Sequence, residues 1–342
     1  MLRRQVFIFL IAFVSVAMAE TDSSGDWQYE VKRDDTVWDI CKNYVAGNQC
    51  WRKLVKYNNI KTPKYLPPGT VLNIPKAWLK PSVAQALVIS VRGDVIVSRA
   101  GEDGQKPVIK GDKLDQMDTV TAKNGSAMIE FADQSRLLLK PNSAVRLQGL
   151  RYYQRGGIAE TQIRLLKGRV RANVEKLKGL GSRFDIATPA AVAAVRGTEF
   201  RVGFSPADGD NKAIMTTELL EGSVKVANDQ GEQTLAAGEA VRAVEGEAVA
   251  APVALLPRPR LDLTKEQEVR LPHRVVWYEV EGAAYYRVTL SRDGILLWEV
   301  TTQIPELEVD VADDGEYELI ISAVDAQGFE GKGRRLRISS RK

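Results

Sequence analysis

Apolar and polar residues follow four different rhythms along the chain. The first is an apolar run from Val6 to Val16, broken only by Ser15, preceded by Arg3 and Arg4 and followed by Ala17-Met18-Ala19. A positive start, a short apolar stretch and an A-x-A site are the parts of an export signal, so cleavage is expected after Ala19. The run of about 11 residues falls short of the roughly 20 that a spanning helix needs. The second rhythm, over residues 26–79, changes period twice. Trp27, Tyr29 and Val31 alternate as in a half-buried strand, then Val37, Ile40, Cys41 and Tyr44 recur at helical spacing behind a capping Asp35 or Thr36. Trp51, Leu54, Val55 and Asn58 repeat that helical spacing, and "YLPPGTVLNIP" closes with a turn and a strand through Val71, Leu72 and Ile74. The predicted order is strand, helix, helix, strand.

From residue 85 to 245 the period is two almost throughout. "ALVISVRGDVIVSR", "AMIEFADQSRLLLKPNSAVRLQ" and "TQIRLLKGRVRANVE" read as short strands between Gly, Asn and Asp turns. Two echoes run through this stretch: "LLKGRV" at Leu165 returns as "LLEGSV" at Leu219, and "VRGD" at Val91 returns as "VRGT" at Val195. They suit a rolled or coiled β-structure with recurring turns. "VALLPRPRLDL" then reads as a linker. Residues 255–342 hold six or seven strands at roughly ten-residue spacing, the rhythm of an antiparallel sandwich. The whole is a multi-domain, mainly β protein: a signal peptide over 1–19, a small βααβ module over 26–79, a β-rich domain over 85–245 and a sandwich over 255–342.

Composition narrows the chemistry. Lys and Arg number 48 against 44 Asp and Glu, and losing Arg3 and Arg4 with the signal leaves a near balance that makes no case for nucleic acid. No later apolar run is long enough to span a bilayer, so no membrane span is expected after cleavage, and no cysteine lies just past Ala19 to carry a lipid. Cys41, Cys50 and His273 total three, one short of an ordinary structural zinc set, so no metal is expected. In an oxidising compartment a single pair of cysteines is more simply a disulfide, Cys41 to Cys50, stapling the two helices. His273, in "LPHRVV", reads as a structural residue at a strand edge. Arg196 and Glu199 are the pair an enzymatic reading would choose, but a locally paired couple explains them as well. No histidine-served nucleophile or phosphate-cradling glycine loop is present, and no cofactor is expected.

The module over 26–79 resembles a LysM domain. The resemblance rests on Tyr29-Glu30-Val31, on Asp35-Thr36-Val37-Trp38-Asp39-Ile40, on Asn58-Asn59-Ile60 and on Pro68 to Pro75. It implies binding of glycans that contain N-acetylglucosamine, which in a bacterium means peptidoglycan. The implied groove lies between the first strand–helix loop, with Asp35, Thr36 and Val37, and the second helix–strand loop, with Asn58, Asn59 and Ile60. Asp34 stands where the family pattern has glycine, a position that asks for a left-handed backbone, which Asp tolerates better than most residues. Trp38 reads as a packing residue behind the groove.

"DIATPAAVAAVRGTEFRV", residues 185–202, resembles the core segment of FecR-type periplasmic domains through Thr188, Pro189, Ala191, Val195, Arg196, Gly197, Thr198 and Phe200. With the flanking echoes, that likeness spans most of 88–243 and implies a β-rich domain of exported proteins. "VEGAAYYRVTL" and "GEYELIISAVDAQG" resemble a fibronectin type III-like domain, with Trp277 in the core and Tyr317 near the penultimate strand. The basic end (Lys332, Arg334, Arg335, Arg337, Arg341 and Lys342) reads as the solvated face of an edge strand. Together these readings describe a periplasmic, non-catalytic envelope protein that holds peptidoglycan and meets an envelope protein partner through its β-domains. The alternatives are a signalling or assembly component whose FecR-type domain senses a partner and, at a further remove, a cell-wall hydrolase.

Overall fold

A computed structural model describes residues 26–80, 82–153, 158–175, 182–195, 197–261, 269–270, 273–311 and 313–340. The export signal read from Arg3 to Ala19 lies outside them, as do Arg196, Arg341 and Lys342. Among the described residues, no helix is long and apolar enough to cross a membrane.

The first module follows the predicted order. Strand β1 (Asp26–Glu30) pairs antiparallel with β2 (Val71–Pro75), setting Trp27 opposite Ile74 and Tyr29 opposite Leu72. Between them lie helices α1 (Val37–Tyr44) and α2 (Cys50–Tyr57). Eight-residue helices are not stable in isolation, so tertiary contacts must hold both. Val37, Ile40 and Leu54 are buried with Trp27, Tyr29, Leu72 and Ile74 in one apolar cluster, and the Tyr44 ring packs 5.1 Å from Trp27 and 5.0 Å from Tyr29. Thr36 caps α1, its Oγ1 accepting from the Asp39 N–H at 3.1 Å. α2 has no such cap, since Gln49 before it is left-handed and makes no side-chain capping bond. The expected disulfide is present instead: Cys41 and Cys50 are bonded with their Cα atoms 5.7 Å apart, anchoring the uncapped end of α2 to α1. Closing so short a loop contributes about 2–3 kcal/mol by chain entropy.

In the middle region the strand pairing runs round as a closed barrel, drawn into two sheets that share one long strand, Ile158–Asn173. Its first half pairs with Ser143–Tyr153 and Arg183–Ala187, its second half with Arg136–Leu139 and Glu199–Ser205. The crossing point is Gly168, at φ +83°, where a Cβ would lie 2.3 Å from Ser143 Oγ and 2.5 Å from the Asn142 carbonyl oxygen. Gly222, its counterpart in the echoed "LLEGSV", is also left-handed (φ +89°) and sits where the chain leaves Ile214–Glu221 in one sheet for Ser223–Asn228 in the other. The glycines of the second echo, Gly93 and Gly197, occupy two more crossings. The internal echo is therefore a repeated corner, placed where only glycine fits without strain. Between the sheets lie Ile129, Leu137, Leu139, Leu147, Phe184 and Phe200, all fully buried. The "TPAA" turn closes on itself, Thr188 Oγ1 accepting from the Ala191 N–H at 3.2 Å.

The last region is a sandwich. Five strands run in the order Val269–Arg270, Arg334–Ser340, Gly315–Asp325, Ala283–Arg292, Ile295–Thr302, and His273–Val276 pairs with Glu306–Val309 in a second sheet. Trp277 is buried as expected, edge-on to Tyr286 at 5.3 Å, and Tyr317, on the penultimate strand, donates its hydroxyl to the Asp313 carbonyl at 2.7 Å. His273 opens a strand and is half-buried, a structural position. One expectation holds in part and another changes. Strand Arg334–Ser340 pairs with Gly315–Asp325 along its length but with Val269–Arg270 only at Ile338 and Ser339, so among the described residues its basic stretch, Arg334–Arg337, has a partner strand on one side only. The "VALLPRPRLDL" segment is no free tether: Val253–Ala254 pairs with Glu239 and Ala240, and the Leu256 carbonyl accepts from the Lys332 N–H at 3.0 Å.

Candidate functional site

The candidate groove is framed by two loops, residues 31–36 and 58–70, which the fold ties side by side. The Val31 N–H donates to the Thr70 carbonyl and the Gly69 N–H to the Val31 carbonyl, both at 2.8 Å, and the Val37 N–H reaches the Pro63 carbonyl at 3.4 Å. Within the first loop the chain turns at Lys32–Asp35, the Asp35 N–H donating to the Lys32 carbonyl at 3.2 Å. Asp34 is left-handed there (φ +69°), the conformation that its replacement of glycine demands. Asp35 Oδ2 fills the inside of the turn, accepting from the Lys32 N–H at 2.7 Å and the Tyr29 hydroxyl at 2.6 Å. Burial and that carboxylate both push the Tyr29 hydroxyl's pKa up, so it remains a proton donor.

The second loop begins at the end of α2. Asn58 does most to shape it: its Oδ1 accepts from the Asn73 N–H at 2.7 Å, and its Nδ2 donates to the Asn73 carbonyl at 2.9 Å and the Leu54 carbonyl at 3.2 Å. That clip fastens α2 to β2. Asn59 follows at φ +52°, and the Ile60 N–H donates back to the Val55 carbonyl at 3.0 Å.

Of the six residues named from sequence, Asp35 and Thr36 fall on the first loop, Asn58, Asn59 and Ile60 on the second, and Val37 opens α1, and they act in different capacities. The side chains of Asp35, Thr36 and Asn58 are engaged within the module, and Val37 is buried. Asn59 is exposed and Ile60 half-buried, so these two are open to a ligand. Trp38 is a correction. It is 65% exposed and points away from the core. The helical period already implied this, because Val37, Ile40, Cys41 and Tyr44 define the buried face and a residue one step on lies about 100° round the helix. Tyr65, on the second loop between Pro63 and Pro67, is 67% exposed and was not singled out by its pattern.

A second concavity, of about 480 Å³, lies between the middle and last regions and is lined by Arg136, Lys140, Arg171, Arg201, Lys332 and Arg335 among others. Most of these cations already have partners. Beside it is a buried ionic cluster that joins the two regions. Arg201 bonds Glu218 at 2.6 Å and Glu330 at 2.5 Å, and Arg287 bonds Glu330 at 2.6 Å and Glu299 at 3.1 Å. Lys140 bonds Glu299 at 2.7 Å, Arg169 also pairs with Glu330, and the Glu330 N–H donates to Glu218 at 2.9 Å. Burial alone would raise the Glu330 carboxyl, but Arg201, Lys140, Arg169 and Arg287 together hold it well below the usual carboxylate range. Burial pushes the Lys140 ammonium down. Glu199 is held by Arg171 at 2.9 Å, a structural pairing; Arg196, its partner in the enzymatic reading, lies outside the described residues. Among the described residues, no group of three or more His, Cys, Asp or Glu is placed to hold a metal ion.

With this geometry in hand, comparison with known proteins is informative in two segments. Residues 29–75 match the LysM domain and residues 117–225 match the FecR protein family, a shorter span than the 88–243 read from the echoes. An uncharacterized protein of Deinococcus radiodurans is 33% identical over 60 residues, covering 18% of this chain and 24% of that protein. The chain thus spans about a quarter of the length of the curated relative it matches. Among solved structures, a candidate anti-sigma factor from Parabacteroides distasonis aligns at 16% identity over 40% of this chain and 59% of its own, with a TM-score of 0.32. The FN1–FN3 domains of chicken CNTN1 align at 12% identity over 77% of this chain and 99% of theirs, with a TM-score of 0.22. Superpositions at that level carry no weight here; the sandwich rests on its own strand pairing.

Proposed function

We propose that this chain is an exported, non-catalytic envelope protein that docks on peptidoglycan through residues 26–79, with the β-regions over 85–245 and 255–342 serving as one joined scaffold for a protein partner. The LysM match points to a glycan ligand, and the FecR match fits an exported protein. The observation that supports the site is the tying together of the two loops at Val31, Gly69 and Val37, which sets side by side two segments some thirty residues apart. In this reading Asp35, Thr36 and Asn58 shape the groove, Val37 supports it from below, and Asn59 and Ile60 meet the sugar. An N-acetyl group needs amide hydrogen bonds and a small apolar surface for its methyl, and an exposed asparagine next to a half-buried isoleucine offers both.

Co-sedimentation of the full chain with purified peptidoglycan tests it. Retention that falls on substituting Asn59→Ala and Ile60→Ala, with thermal unfolding unchanged, supports the groove. No retention refutes it. Release of soluble muropeptides by the pure protein would instead establish the hydrolase reading. The ionic cluster supports the scaffold half of the proposal, since a surface shared by two regions keeps its shape only if they do not move apart.

A further inference from the structure

Charge is distributed unevenly. Residues 26–80 contain ten Lys and Arg against five Asp and Glu, whereas residues 81–342 contain 36 against 37. The excess is also left uncompensated within the module. Of its cations, Lys76 pairs with Glu160 of the middle region, at 2.6 Å. Three of the five carboxylates are taken by uncharged groups: Asp26 accepts from the Tyr57 hydroxyl, Asp35 from Tyr29 and the Lys32 N–H, and Asp39 from Thr36. These three are half-buried, while Glu30 and Asp34 are exposed, Asp34 directly after Arg33 on the first loop.

The unpaired cations include two on each wall of the groove. Lys32 and Arg33 are exposed on the first loop, Lys61 and Lys64 on the second. Two exposed aromatic rings lie close by in the chain: Trp38, the second residue of α1, and Tyr65 on the second loop. A sugar ring presents a face of C–H groups to such a ring, while lysines and arginines recognise carboxylates.

Building on the glycan reading above, we propose that the groove is selective for a glycan bearing free carboxylates. Its sugars lie against Trp38 and Tyr65, and its acid groups are met by Lys32, Arg33, Lys61 and Lys64. A neutral polymer of N-acetylglucosamine satisfies the rings and leaves the four cations without counter-charge. Salt should therefore weaken the first interaction and leave the second nearly unchanged, because only exposed charges are screened.

The test is co-sedimentation of the full chain with three solids at low and high salt: intact peptidoglycan, peptidoglycan stripped of its peptides by an amidase, and chitin. At low salt, intact peptidoglycan should be held about fivefold or more tighter than chitin, and high salt should remove the difference. The Lys61→Ala/Lys64→Ala variant should lose most of that advantage while keeping its retention on chitin, which also reports that the module is folded. Trp38→Ala should weaken retention on all three. Amidase cleavage frees the lactyl carboxylate of each muramic sugar, so stripped strands held above chitin show that a sugar-borne carboxylate is enough; stripped strands held like chitin place the recognised carboxylates on the peptides. Either result supports the proposal. Equal, salt-independent retention on intact peptidoglycan and chitin overturns selectivity and leaves glycan binding standing. Retention on none of the three overturns glycan binding itself.

Discussion

The first module and the seam between the middle and last regions handle charge in opposite ways. At the seam, Lys140, Arg169, Arg201 and Arg287 are gathered around Glu218, Glu299 and Glu330, nearly all of them buried and each paired. On the module, the Lys32, Arg33, Lys61 and Lys64 side chains are exposed and, among the described residues, form no ion pair. Desolvation explains the contrast. A charge taken out of water must find a partner inside the protein, whereas an exposed charge is already solvated and can wait for one from outside. Pairing therefore marks where the chain holds itself together, and an exposed, unpaired charge leaves the fold unaffected.

The comparison breaks most readily at Glu330. Glu330→Ala leaves Arg201, Arg287 and Arg169 without their shared carboxylate and should cost about 3–5 kcal/mol, read by denaturant unfolding of the full chain. Loss of less than about 1 kcal/mol would mean that the cluster is only incidental to the seam. Next in size is the disulfide. Cys41→Ser/Cys50→Ser should lower the stability of the module by about 2–3 kcal/mol, and proteolysis should then open residues 26–79 before the rest.

Acid provides a third test. The folded Glu330 carboxyl titrates well below its unfolded value, so the stabilisation it supplies is complete above the ordinary glutamate pKa of about 4.3. It is lost as pH falls through the lowered folded value. Unfolding followed from neutral pH downward should show a loss below about pH 4 that is absent in Glu330→Gln. The smallest expected effect sharpens the other side of the contrast. Lys61→Ala and Lys64→Ala should each change stability by no more than about 0.5 kcal/mol, because an exposed, unpaired lysine supports nothing in the fold.

Much of the fold could be read from the chain in advance because it depends on local periodicity. The alternation of Trp27, Tyr29 and Val31, the helical recurrence of Val37, Ile40 and Cys41, the cap at Thr36 and the left-handed demand at Asp34 are all decided within a few residues. The echoed glycines at 168 and 222 were visible too, although their role as corners between sheets needed the strand pairing to explain it. The candidate groove was legible as two loops but not in the division of labour between them. Asn58 looks like a sugar contact in sequence, yet its partners Asn73 and Leu54 take up both ends of its amide. Trp38 was misplaced because tryptophan is usually buried, a habit of composition that the helical phase should have overruled.

By itself, the sequence determined the mainly β character of the protein, the βααβ module, the disulfide pair and the surplus of positive charge in residues 26–80. These depend on spacing and composition. Only the tertiary structure decided which of the many Arg and Glu residues are bonded to each other and which are left open. Arg169 and Glu330 are 161 residues apart, and no local pattern links them. Whether a charged side chain holds the fold or faces a ligand depends on what folding brings within about 4 Å of it and on whether water can still reach it.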